Sequence, residues 1–79
     1  MDRIAAFELV KKVLLEILPD LVPSVVQPES KLVDLGANSV DRMDLITSSM
    51  EESDISRPLL DFANVTTLQE LADVLISVP

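Results

Sequence analysis

Seventy-nine residues, 48% of them apolar and mostly aliphatic, suffice for one small domain and little enclosed volume, because a chain of this size buries only roughly 60% of its unfolded surface. The chain has no Cys and no His, so it has neither a disulfide framework, a thiolate metal site nor the commonest general base, and its single glycine, Gly36, excludes phosphate-cradling loops that need several. A net charge of −8 argues against nucleic acid and anionic membrane surfaces as partners, and the composition as a whole makes a poor enzyme.

Residues 3–18 are expected to form an amphipathic helix, with Phe7, Val10, Leu14, Ile17 and Leu18 on one stripe and Glu8, Lys12 and Glu16 opposite. Leu9 and Leu15 lie off that stripe, implying a wide buried face or leftover apolar surface. Pro19 ends the helix. Residues 19–38 carry Pro19, Pro23 and Pro28 and read as a long connection. Their aliphatic content implies a loop packed over the core, with Leu32 and Leu35 as anchors.

A second helix is expected from about Ser39 to Glu52. Val40, Met43, Ile46 and Met50 would form its apolar face, and Asp41, Asp44, Ser48 and Glu51 the opposite one. Pro58 to Ala63 leaves room for one short helical turn carrying Leu60 and Phe62. Thr67-Leu68-Gln69-Glu70 matches a capping box, and Leu68, Leu71, Leu75 and Val78 would line the inner face of the helix that follows. The start of the chain does not look like a signal peptide, and no apolar run reaches the ~20 residues of a membrane span. A cytoplasmic monomer formed by a single 1–79 domain is the expectation.

Leu35-Gly36-Ala37-Asn38-Ser39-Val40-Asp41 closely resembles the attachment site of acyl carrier proteins, usually written L-G-x-D-S-L-D. The resemblance covers essentially the whole chain. It implies an all-α four-helix bundle with a long first loop and a short third helix, and no catalytic or metal-binding residues of its own. It also implies a 4'-phosphopantetheine arm, moved from coenzyme A onto the Ser39 hydroxyl by a phosphopantetheinyl transferase. At a helix start the phosphate would lie beside unpaired amides and the positive end of the helix dipole. Taken alone, Ser39 reads as a simple N-cap; within the motif it reads as the attachment site, with Asn38 able to cap instead.

Asp34, Asp41, Asp44, Glu51, Glu52 and Asp54 surround one base, Arg42. Such a run is either a solvated face or a docking surface for basic patches on successive enzymes, giving fast, weak, salt-sensitive encounters. It lacks the spacing of a calcium loop. By resemblance, the docking set comprises Asn38, Val40, Asp41, Arg42, Asp44, Thr47 and Glu51; Thr47 stands where many members carry an exposed apolar residue.

Asn38 replaces the usual aspartate and Arg42 adds a positive charge. The string Gly36-Ala37-Asn38-Ser39-Val40-Asp41-Arg42 is similar to the discrete donor carriers of polyketide β-branching cassettes. That narrower resemblance implies a malonyl group supplied by an acyltransferase, its decarboxylation by a ketosynthase-like enzyme, and donation of the resulting acetyl group to an HMG-CoA-synthase-like enzyme. The alternatives are a fatty-acid or ordinary polyketide carrier and, from another class, a helical interaction module that carries nothing. A long-chain carrier would open a cleft lined by residues such as Leu45, Ile46, Phe62 and Leu71.

Overall fold

The structure, a computed structural model, describes residues 1–77. Three α-helices, α1 (Arg3–Ile17), α2 (Ser39–Ser53) and α3 (Leu68–Leu75), are joined by loops holding two 3-10 turns, Pro23–Val25 and Leu59–Phe62. The described residues form no strand beyond one antiparallel bridge between Lys31 and Thr67. The expected short third helix is thus a single 3-10 turn. Pro58 starts it, Phe62 is buried, and Leu60 stands 82% exposed rather than packed.

Helix α1 begins at Asp2, whose carboxylate accepts from the Ala5 amide at 2.8 Å and satisfies a donor with no partner inside the helix. Its buried residues are Ala6, Phe7, Val10, Val13 and Leu14, spaced as one face of a 3.6-residue helix. The buried face is wide: Leu9, Leu15, Ile17 and Leu18 are partly buried along its edges. This helix packs against both α2 and α3 and forms the spine of the core. Arg3 fixes one end, with Nε and Nη2 each donating to the Asp73 carboxylate of α3 at 2.9 Å.

The loop between α1 and α2 is held down as its composition implies. Leu32 is fully buried, but its companion anchor is Val26 rather than Leu35, which is only partly buried. Backbone bonds sew this strap to the start of α3: Leu32 N–H to Thr66 O at 2.9 Å, Leu68 N–H to Ser30 O at 3.1 Å, and Gln69 N–H to Pro28 O at 2.9 Å. These bonds satisfy one amide and two carbonyls of a loop lying on the core, together with two first-turn amides of α3 that have no partner inside the helix.

Helix α2 has the expected extent but is rotated about its axis. Its buried side chains are Leu45, Ile46 and Ser49, whereas Val40 is 73% and Met43 47% exposed. The stripe read from the sequence follows the apolar residues. The packed stripe instead includes a serine, whose hydroxyl is fully buried and has no hydrogen-bond partner among the described residues. Asp54 ends the helix in the left-handed conformation, φ 57°. Helix α3 starts at the expected capping box, in which Glu70 N–H donates to the Thr67 hydroxyl at 3.1 Å and Thr67 N–H donates to Glu70 Oε1 at 2.9 Å. Leu68, Leu71 and Leu75 are buried as expected; Val78 lies outside the described residues.

Candidate functional site

The segment that presents Ser39 is built from the strap. Leu35 N–H and Ala37 N–H both bond to Leu32 O, at 3.2 and 3.1 Å, so the chain coils tightly over the buried Leu32. Gly36 then takes φ 87°, a conformation that side chains with a Cβ rarely adopt. No atom lies close enough to clash with an added Cβ, so the demand for glycine here comes from the backbone alone.

Asn38 is the N-cap of α2. Its side chain accepts from Asp41 N–H at 2.8 Å, and Asp41 Oδ2 accepts from Asn38 N–H at 3.2 Å, a reciprocal capping box. Ser39 is therefore released from capping. It is the first helical residue, exposed, and among the described residues its hydroxyl makes no hydrogen bond. The amides of Ser39 and Val40 lie in the first turn, where the helix offers no backbone acceptor. An exposed hydroxyl beside unpaired amides at the positive end of a helix suits a covalently attached phosphate.

The seven docking candidates separate into two groups. Val40, Asp44, Thr47 and Glu51 recur at intervals of four, three and four, which places them on one outward stripe. Val40, Asp44 and Glu51 are exposed; Thr47 is half-buried, and its hydroxyl donates to Met43 O at 3.0 Å. From Asn38 to Glu51 the helix runs roughly 20 Å at its usual rise. Asn38, Asp41 and Arg42 are engaged within the fold instead. The first two form the cap, and the half-buried Arg42 donates from Nη2 to Val65 O at 2.6 Å. That long-range bond has no signature in sequence.

Beside Ser39, a crevice of about 290 Å³ runs between Arg42, Met43 and Ile46 of α2 and Leu59 and Phe62 across from them. Val40, Met43, Leu59 and Leu60 leave apolar surface exposed around this end of the molecule. A larger groove, about 510 Å³, lies between Val13, Glu16 and Ile17 of α1 and Ser48, Glu51 and Glu52 of α2, toward the opposite end of α2 from Ser39. Acidic residues gather at that end. Glu51, Glu52 and Asp54 sit where the helix dipole is negative, and among the described residues only Glu52 of the three forms an ion pair, with Lys12 Nζ at 3.4 Å. This placement works against helix stability.

Residues 8–75 match the family model described as the phosphopantetheine attachment site. A polyketide biosynthesis acyl carrier protein, AcpK, of Bacillus subtilis (strain 168) is 39% identical over 75 residues, covering 95% of this chain and 92% of its own length. Among solved structures, the chain superposes with TM-score 0.85 and 32% identity on a chain of the crystal structure of the curacin-pathway HMG synthase in complex with an acetyl-donor acyl carrier protein, covering 94% of this chain and 95% of that one. This chain belongs to the phosphopantetheine-bearing acyl carrier family, and works as an acyl carrier rather than a catalyst.

Proposed function

We propose that Ser39 carries the 4'-phosphopantetheine arm and that the loaded protein donates acetyl groups to an HMG-CoA-synthase-like enzyme of polyketide β-branching. The observation that carries the first half is the division of labour at the start of α2: Asn38 caps the helix, and the neighbouring Ser39 hydroxyl is left exposed and unbonded. The arm, when bound, supplies the thiol that a cysteine-free chain lacks. The Ser39 and Val40 amides would face its phosphate, and the turn through Gly36 holds the serine away from the core, open to a phosphopantetheinyl transferase.

The second half draws support from the solved acetyl-donor carrier that this chain resembles. The outward stripe Val40, Asp44, Thr47 and Glu51 is the surface a partner would read, with apolar contact near the serine and negative charge beyond it. Acids at the wrong end of a helix dipole cost stability, which favours a docking role over mere solvation for Glu51 and its neighbours. The same surface would serve an acyltransferase and a ketosynthase-like decarboxylase that converts the malonyl thioester to acetyl. We also read the Leu59–Phe62 turn as the counterpart of a short third helix, which gives the fold its fourth bundle member, and assign the protein to the cytoplasm; among the described residues no helix is long and apolar enough to cross a membrane.

Intact mass before and after incubation with coenzyme A and a broad-specificity phosphopantetheinyl transferase tests the site. A gain of one phosphopantetheine unit, absent in Ser39→Ala, is the expected result. An equal gain in the variant places the arm elsewhere. For the donor role, acetyl transfer from the loaded protein to an HMG-CoA-synthase-like enzyme should fall when Asp44 and Glu51 are both neutralised. Transfer unchanged by both substitutions would remove the stripe from the docking surface.

A further inference from the structure

The side of α2 that borders the crevice carries Ser39, Arg42, Met43 and Ile46. An alkyl chain passing from the Ser39 end into the core would follow this side, entering the crevice between α2 and the Leu59–Phe62 turn. Arg42 is the one charged residue lining that crevice, and it is tied to the segment that continues from the far wall, two residues past the lining residue Ala63. Its Nη2–H donates to Val65 O at 2.6 Å, linking residues 23 apart in sequence on α2 and on the segment leading into α3.

Widening the crevice would pull this pair apart. The separation would cost a charge-assisted hydrogen bond and leave a carbonyl and a half-buried guanidinium in search of partners. The mouth of the path is therefore ill-suited to a long apolar tail.

We infer that Arg42 is a specificity-determining latch: its bond to the Val65 carbonyl keeps the crevice shut to long acyl chains, so that short acyl groups are held outside the fold. The inference rests on Ser39 being the attachment residue. It differs from a docking role for Arg42, because it concerns cargo on the isolated carrier with no partner present.

The test compares acetyl- and octanoyl-loaded protein, prepared from the corresponding coenzyme A thioesters, in the natural sequence and in Arg42→Met, which keeps side-chain length and removes the donors. Loading is first verified by mass, so a failure of the attachment reading is seen before this question is asked. Two quantities are then read: methyl resonances of Leu45, Ile46 and Leu71, and the rate of thioester cleavage by hydroxylamine. In the natural protein the interior resonances should coincide for the two cargoes, and the two thioesters should be cleaved at similar rates. In Arg42→Met the octanoyl form should shift those resonances and resist cleavage about tenfold, the equivalent of burying two methylenes. Interior shifts in the natural octanoyl form overturn the latch, and this arm decides the matter even if the variant folds poorly. A folded Arg42→Met that behaves as the natural protein overturns it too.

Discussion

Ser49 offers the sharpest test of how this core is held together. Its side chain is fully buried on the inward face of α2, and the hydroxyl has no hydrogen-bond partner. A buried polar group left unpaired costs about 1–3 kcal/mol relative to its solvated state in the unfolded chain. Ser49→Ala removes that penalty and creates at most a hydroxyl-sized gap. It also replaces a middling helix former with the best one, worth up to about 0.7 kcal/mol. Ser48→Ala on the same helix measures that second contribution by itself, since Ser48 is only half-buried. After subtraction, Ser49→Ala should stabilise the fold by about 1–3 kcal/mol. In a domain of this size each kcal/mol moves the melting temperature by about 4–8 °C. Urea titration of the two variants and the natural protein, fitted with a common slope, gives the difference directly. A Ser49→Ala gain no larger than that of Ser48→Ala would refute the reasoning. The hydroxyl would then be satisfied in solution, most simply by bonding back to the Leu45 carbonyl one turn earlier.

Asn38→Ala should cost about 1 kcal/mol by removing the cap of α2, yet leave Ser39 able to accept the arm, read as a mass gain on the folded variant. Asp54→Gly should stabilise by about 1 kcal/mol in denaturant titration, because Asp54 holds φ 57° and adds a negative charge at the negative end of α2. The Glu70 carboxyl is held down to about 2 from an ordinary 4.5, first by the Thr66 hydroxyl and then by the Thr66 and Thr67 amides. A depressed carboxyl stabilises the fold fully above its unfolded value, and the benefit is lost as pH falls through the folded one. Acid titration should therefore show natural protein and Glu70→Gln converging in stability between pH 4.5 and about 2. A constant gap across that window would mean the Glu70 bonds do not persist in solution.

What the sequence disclosed, and what it hid, divides along physical lines. The α3 capping box and the extent of α1 rest on local signals, a Thr–Glu pair three apart and a proline stop, and both stand in the structure. The capping signal at Asn38–Ser39 is equally local, and the structure gives the cap to Asn38. The rotation of α2 was not legible. Hydropathy ranks Val40 and Met43 above Ser49, and only the packing of α2 against α1 decides which of them is enclosed. Hydropathy does not separate Val26 from Val22 and Val25, equally apolar; the structure buries the first and exposes the other two. The Arg42–Val65 bond joins residues brought together by the tertiary fold alone, so no motif announces it. The cap at Asp2 does have a local signal, an acidic residue immediately before the first helical turn.

The strap that presents Ser39 also has a consequence for the order of events in biosynthesis. Its closing bonds, from Leu32 to Thr66, Ser30 to Leu68 and Pro28 to Gln69, all wait on residues 66–69. A ribosome-bound chain that has emerged only as far as α2 exposes the serine, but on a segment with nothing to lie against. The turn through Gly36 acquires its fixed course once the start of α3 is free to meet the strap. A transferase that reads the shape around Ser39 would thus find no finished substrate until residues 66–69 have emerged.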